Sequence, residues 1–375
     1  KKKRVFKIMK KLILVLITFF FTSAVSADHD KYKCTKKESI LIGAHKVLND
    51  GEVIPLPSYT TMGLYNVLND KHLINPVTVT GYLAFPKGNK KVPVVIITHG
   101  SGGAGSLFTN SYYVEARQNL LDAGIGVMLI DSFCNRGTQD TWRDQSKAPI
   151  VSAAIDTMMA YKFIKSHPRS NGKIGTNGHS RGGTNSLLVS DVKFTSKFLN
   201  DKSGFDAVLP EAAECRMAGL FKNGEITNNT KMLYVHGEKD NLTLAKPCVE
   251  YVKSIKAQEG QIKIDIKKGW GHDWHGPYKA KKVKAMVMPT CPSHYVDDKG
   301  LVTGELADLG LNKYKLFNSW EEYAEASAIE PKKTFKKVFK ILKKEKCLER
   351  GAYVGGNHGA EYMPQFINFF KENLL

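Results

Sequence analysis

Five residues, Gly178-His179-Ser180-Arg181-Gly182, constrain this chain more than any other stretch. Lys173 to Asn177 reads as a strand running into them. Gly182-Gly183-Thr184-Asn185-Ser186-Leu187-Leu188 leads away as a helix. A G-x-S-x-G run between a strand and a helix makes a turn so sharp that the serine sits in strained backbone. Side chains at the flanking positions would collide across that turn, so Gly178 and Gly182 must be bare. The turn lifts the Ser180 hydroxyl above the sheet edge, where a base can reach it.

The rest of the chain supplies a sheet for that turn. Val77–Phe85 alternates around Gly81 and reads as an early antiparallel strand. Val94-Val95-Ile96-Ile97 and Ile125–Ile130 are the continuous apolar runs of strands buried on both faces. Short apolar strands follow at Ala207–Leu209 and Met232–Val235, and Ile262–Ile266 reads as an edge strand. Between them, Asn110–Ala123, Ala148–His167 and Leu244–Ala257 read as helices, and Glu361–Leu374 as a closing amphipathic helix. Strands alternating with helices predict an α/β fold, a mostly parallel sheet covered on both faces.

A serine hydroxyl is a poor nucleophile until an imidazole takes its proton and a carboxylate fixes that imidazole's tautomer. Two stretches downstream of Ser180 fit these roles. The strand Met232–Val235 runs into His236-Gly237-Glu238-Lys239-Asp240, and Gly271-His272-Asp273-Trp274-His275 follows the next strand. Asp240 is assigned as the orienting acid, with Glu238 as its rival. His272 is assigned as general base and acid, with His275 and His358 as rivals. His179 reads as packing or substrate-facing, and His236 as strand-end packing. The oxyanion of acyl transfer needs two backbone N–H groups aimed at it. Arg181 would supply one, and Ser101 or Gly102 of the Gly-rich loop His99–Gly103 the other. That loop lacks the spacing of a phosphate or dinucleotide site, so neither is expected there.

Met9-Lys10-Lys11, the apolar run Leu12–Phe21 and Thr22-Ser23-Ala24-Val25-Ser26-Ala27 read as a secretory signal peptide over residues 1–27, with Met9 the expected start. The expected protein is therefore exported, periplasmic or secreted, with no stable membrane anchor once the signal is cleaved. Those residues hold seven of the 55 lysines and arginines and no acid, so the remainder is still basic. Its cations are scattered lysines without an arginine–aromatic interleave, which reads as a solvated surface, and no nucleic-acid partner is expected. Residues 28–75 lack clear periodicity and read as an N-terminal extension to a domain over 76–375. Within that domain, residues 277–350 are Lys-dense and read as an insertion. Six cysteines (34, 134, 215, 248, 291, 347) make an even set in an exported chain, so disulfides are expected and pairing is open. No C-x-x-C occurs, and no metal site is expected.

Together, Val94–Gly103, Asp131-Ser132-Phe133 with Arg136-Gly137, Gly178–Gly182, His236-Gly237 with Asp240, and Gly271–Trp274 resemble the dienelactone hydrolase-like branch of the α/β-hydrolases. The resemblance implies an eight-stranded α/β-hydrolase sheet and cofactor-independent cleavage of a small-molecule ester or lactone. It also implies that the Asp131–Arg136 stretch braces a loop, with Arg136 structural. Exported members of the branch imply a Cys215–Cys248 bridge, which leaves Cys291–Cys347 to close the insertion. Two departures stand out: dienelactone hydrolase carries a cysteine nucleophile where this chain has Ser180, and the insertion exceeds the compact core. A prolyl-oligopeptidase-type peptidase and a non-catalytic binding protein on the same fold are the alternatives. No propeller-like repeat precedes the domain, which counts against the former. The sequence leaves oligomeric state open.

Overall fold

The computed structural model describes Cys34 and residues 39–142, 144–200 and 203–375. The expected signal peptide lies outside these residues. Eight strands form one sheet: β1 (Gly51–Tyr59), β2 (Pro76–Ala84), β3 (Val92–Thr98), β4 (Gly126–Asp131), β5 (Ser170–His179), β6 (Ala207–Glu211), β7 (Lys231–Gly237) and β8 (Ile262–Lys267). Their order across the sheet is β1-β2-β4-β3-β5-β6-β7-β8. β2 runs antiparallel to both its neighbours, and every pair from β4 to β8 is parallel. This is the α/β-hydrolase arrangement that the resemblance implies.

The apolar runs explain why the sheet is buried twice over. Side chains alternate across a strand, so Val94 and Ile96 join the core on one face while Val95 and Ile97 join the core on the other. Helix α3 (Ile150–Ser166) covers the first face with Ile155 and Met158, as does Leu187 of α4 (Arg181–Val189). Helices α1 (Ile40–Leu48), α2 (Ser111–Asp122) and α8 (Gly359–Leu374) cover the second, Phe366 and Phe370 lying fully buried, while α5 (Ala245–Ser254) adds Cys248 and Val252 to the first. β8 stands at the edge, as its alternating Ile and Lys/Asp pattern predicts.

The stretch read as an N-terminal extension supplies the other edge strand, β1. Pro55 and Pro57 hide it from a periodicity search, yet an edge strand tolerates proline because no ladder bond is lost on its open side. Ile54, Leu56 and Ser58 alternate inward between them. Arg136 ties β1 to the interior: its guanidinium donates to Tyr59 O at 2.9 Å and Ser132 O at 2.7 Å, and to both Asp156 carboxylate oxygens at 2.7 and 2.8 Å. Both side chains are almost wholly buried, and a bidentate pair with its remaining donors satisfied is what makes a buried charge tolerable.

Residues 277–350 fold as a side lobe between β9 (Lys281–Val287) and β10 (Glu349–Val354), which pair antiparallel. Helices α6 (Trp320–Ile329) and α7 (Pro331–Lys344) lie in it. α7 buries Thr334, Val338, Ile341 and Leu342, a single stripe at helical spacing, and turns its lysines outward. The stripe packs on Leu306, Phe317 and Trp320 in a small core of its own. Asn66 and Asn75 hold the lobe to the body, donating to Ser327 Oγ at 3.0 Å and Ala328 O at 2.7 Å. Disulfides join Cys215 to Cys248, Cys291 to Cys347, and Cys34 to Cys134. Among the described residues no helix is long and apolar enough to cross a membrane.

Candidate active site

β5 ends at His179, and Ser180 follows with φ 59° and ψ −117° before α4 begins at Arg181. That conformation is strained for a residue with a side chain. It persists because the surroundings over-determine it. Ser180 N–H donates to Glu211 O at 2.8 Å. A Cβ on Gly178 would stand 2.4 Å from the Gly182 carbonyl carbon, and one on Gly182 would stand 2.6 Å from Thr98 O. Both glycines are therefore obligatory, and they aim the serine out of the sheet's C-terminal edge.

His272 and Asp240 meet at the same edge, both buried. Asp240 follows β7, and His272 sits in the loop after β8. His272 Nδ1 lies 2.7 Å from Asp240 Oδ2 and 3.1 Å from Thr243 Oγ1. Asp240 is held as a carboxylate: Oδ1 accepts from Leu242 N at 2.9 Å and Thr243 N at 3.0 Å, and Oδ2 accepts from Thr243 Oγ1 at 2.9 Å. Burial alone would raise its pKa, but the facing His272 charge and the bonds from His236 and His272 outweigh it and hold it well below the usual range. Burial likewise opposes a charged His272, yet Asp240's charge and hydrogen bond win and lift it to about 8. With Nδ1–H donated to Asp240, Nε2 is the nitrogen left to take a proton. The ring packs at 4.8 Å, centroid to centroid, on His179, the residue before Ser180.

The rivals stand elsewhere. Glu238 is exposed and accepts from Gly269 N at 2.9 Å. His358 pairs with Glu361 at 2.9 Å and stacks on Trp270. His275 is buried edge-on against His179 and beside Tyr112, and burial pushes it down to about 4. His179 is likewise driven well below its ordinary value by burial, so both rings are neutral at pH 7.

In the Gly-rich loop, Gly100 stands beside the nucleophile; a Cβ there would be 3.6 Å from Ser180 Cβ. Ser101 O accepts from Thr141 N at 3.0 Å, and Gly102 lies against the Trp142 indole. His99 braces the loop, its Nδ1 donating to Gly100 O at 2.8 Å and its Nε2 accepting from Ser132 N at 3.2 Å. The Arg181 side chain turns inward to Gln145 Oε1 and Ala148 O, leaving only its backbone beside Ser180.

Three contributors escaped the sequence reading. His236 is more than strand-end packing: its Nε2 lies 3.2 Å from Asp240 Oδ2 and also reaches Thr243 O. Both partners only accept, so Nε2 carries the hydrogen and Nδ1 accepts from the Tyr234 hydroxyl. Its place four residues before the acid was the available signal. Trp142, 58% exposed, lies against Gly102 of the Gly-rich loop. Tyr353 of β10 accepts His272 N–H at 2.9 Å, and Gly355 N donates to His272 O at 2.7 Å.

No family model and no curated protein matches the sequence. Among solved structures the chain is similar to Est1E from Butyrivibrio proteoclasticus, at 16% identity over 52% of this chain and 86% of that one, with a TM-score of 0.38. It is similar to dienelactone hydrolase from Anabaena variabilis, at 16% identity over 58% and 88%, TM-score 0.38. It is also similar to acetyl xylan esterase 1 from Thermoanaerobacterium sp., at 15% identity over 52% and 74%, TM-score 0.38.

Proposed function

We propose that this protein is an exported serine hydrolase that cleaves a carboxylic ester or lactone through an acyl-enzyme. The observation that carries the reading is the His272–Asp240 pair: one ring nitrogen is locked on a buried carboxylate, and the ring rests on the residue that precedes Ser180. Ser180 Oγ attacks the substrate carbonyl while His272 Nε2 takes its proton. Asp240 holds the tautomer and stabilises the imidazolium. The backbone N–H of Arg181, at the N-terminus of α4, and that of Ser101 or Gly102 receive the developing oxyanion. The imidazolium then protonates the leaving alcohol, and water, activated by the same ring, releases the acid. Three disulfides support export into an oxidising compartment.

Purified protein is expected to turn over p-nitrophenyl acetate and to react covalently with a fluorophosphonate probe, while Ser180→Ala does neither. Equal inactivity of both proteins across a short-chain ester panel rejects the ester reading. Turnover of peptides but not esters points to peptidase chemistry instead. Labelling that persists in Ser180→Ala moves the nucleophile elsewhere.

A further inference from the structure

Beside the His272–Asp240 pair lies a second cluster that the proposed mechanism does not use. His179, Asp273 and His275 each turn one donor atom into a common space, all within 4.8 Å of one another. We propose that these three residues form a binding site for a zinc-class divalent cation, held by two imidazoles and one carboxylate.

Distance decides between this reading and a simple hydrogen bond. His179 Nδ1 lies 3.5 Å from Asp273 Oδ1. A good N–H···O bond is about 2.7–3.2 Å. Two ligands of one tetrahedral ion, each about 2.0–2.1 Å from it, stand roughly 3.4 Å apart. The pair is thus too long for the first and at the spacing of the second. His275 meets His179 at 4.5 Å between ring centroids and at 81° between planes, so the two rings do not stack.

The imidazoles are also short of partners. Both side chains are more than nine-tenths buried; His275 Nδ1 has no hydrogen-bond partner, and on His179 the nitrogen other than the Nδ1 that faces Asp273 is unpaired as well. Buried polar atoms are rarely left so. Asp273 is the one half-exposed ligand, and its φ of 53° is a strained backbone for a residue with a side chain. The Tyr278 hydroxyl stands close enough to its carboxylate to feel its charge, an outer neighbour of the kind that orients a ligating group. Two imidazoles with one carboxylate suit zinc and its neighbours, whereas magnesium prefers an oxygen shell. Three protein ligands leave at least one position open to water or a ligand oxygen.

The test is a Zn2+ titration of the full chain against a chromogenic chelator, with metal content measured after desalting. All six cysteines are in disulfides, so no thiolate competes. One zinc per chain is expected, undisturbed by excess Mg2+. Asp273→Asn and His275→Gln should each weaken it at least tenfold, with metal-free near-ultraviolet circular dichroism unchanged. Should His275→Gln misfold, Asp273→Asn on the half-exposed position carries the result. Ser180→Ala should bind zinc as the wild type does, so the outcome is independent of whether the protein hydrolyses esters. No saturable binding by the wild type, or equal binding by wild type and Asp273→Asn, overturns the proposal.

Discussion

His236 and His272 address one oxygen, Oδ2 of Asp240, at 3.2 and 2.7 Å. One histidine is the base of the proposed triad and the other aims the acid. Asp240→Asn should therefore lower kcat by about 10^3-fold or more, because an amide can present the wrong group to Nδ1. His236→Leu keeps the carboxylate and should cost about tenfold in kcat with KM little changed, as expected of a group acting only through Asp240. Steady-state kinetics on one chromogenic ester separate the two. A larger loss in His236→Leu than in Asp240→Asn reverses this hierarchy.

The pH profile follows from His272. A general base works only when neutral, and its value of about 8 means that kcat/KM should climb with pH to a half-maximum near 8. Below that the slope should be tenfold per pH unit. In Asp240→Asn the residual activity should reach its half-maximum at lower pH, nearer an ordinary histidine, because the charge that raised the pKa is gone. A wild-type half-maximum below 6 contradicts the pairing.

Glu211 offers a stability test apart from catalysis. It is fully buried, and burial raises it to about 8 against the hydrogen bonds that would lower it. In the unfolded chain it ionises near 4.5. The folded state therefore binds the proton more tightly, and stability from this group is present below 4.5 and lost as pH rises through 8. Glu211→Gln stays neutral throughout and spares the backbone carbonyl that holds Ser180. Its melting temperature should match the wild type at pH 4.5 and exceed it by several degrees at pH 8.5. Equal melting curves at pH 8.5 contradict a protonated Glu211.

Trp142 makes a prediction about substrate size. An exposed aromatic face beside the Gly-rich loop can stack on a ring in the substrate, a contact worth about 0.5–1.5 kcal/mol. Trp142→Ala should raise KM for aryl-acid esters by about two- to tenfold and leave acetate esters nearly unaffected. A uniform change across both classes assigns the indole to loop support alone.

What the sequence revealed and what it hid divide along physical lines. Gly178 and Gly182 were legible because the G-x-S-x-G run carries its own tight turn, although the contact that bars a side chain at Gly182 comes from Thr98 of β3. The strands around Val94–Ile97 and Ile125–Ile130 were legible because burial on both faces demands unbroken apolar runs. The pair Asp240 and His272 could be assigned because chain order on such a sheet limits where an acid and a base can sit. β1 was hidden by Pro55 and Pro57, whose cost vanishes at an edge. His236 was hidden because its tautomer is set by Thr243 and Tyr234 together. The cluster His179–Asp273–His275 was hidden because its members come from the end of β5 and the loop after β8, which only the folded sheet brings together. The lobe showed as a change of composition, while its grip on the rest of the molecule did not, since Lys-rich β9 and its partner β10 are ordinary surface sequence until paired.

That grip has an architectural consequence. β10 carries the returning chain past His272, binding it on both sides through Tyr353 O and Gly355 N, and past Asn241, which donates to Gly351 O and accepts from Tyr353 N. The lobe is thus stitched into the hinge between the acid and the imidazole and cannot be trimmed as ornament. Any shortening that shifts where the polypeptide re-enters would move the proposed base before it touched any substrate.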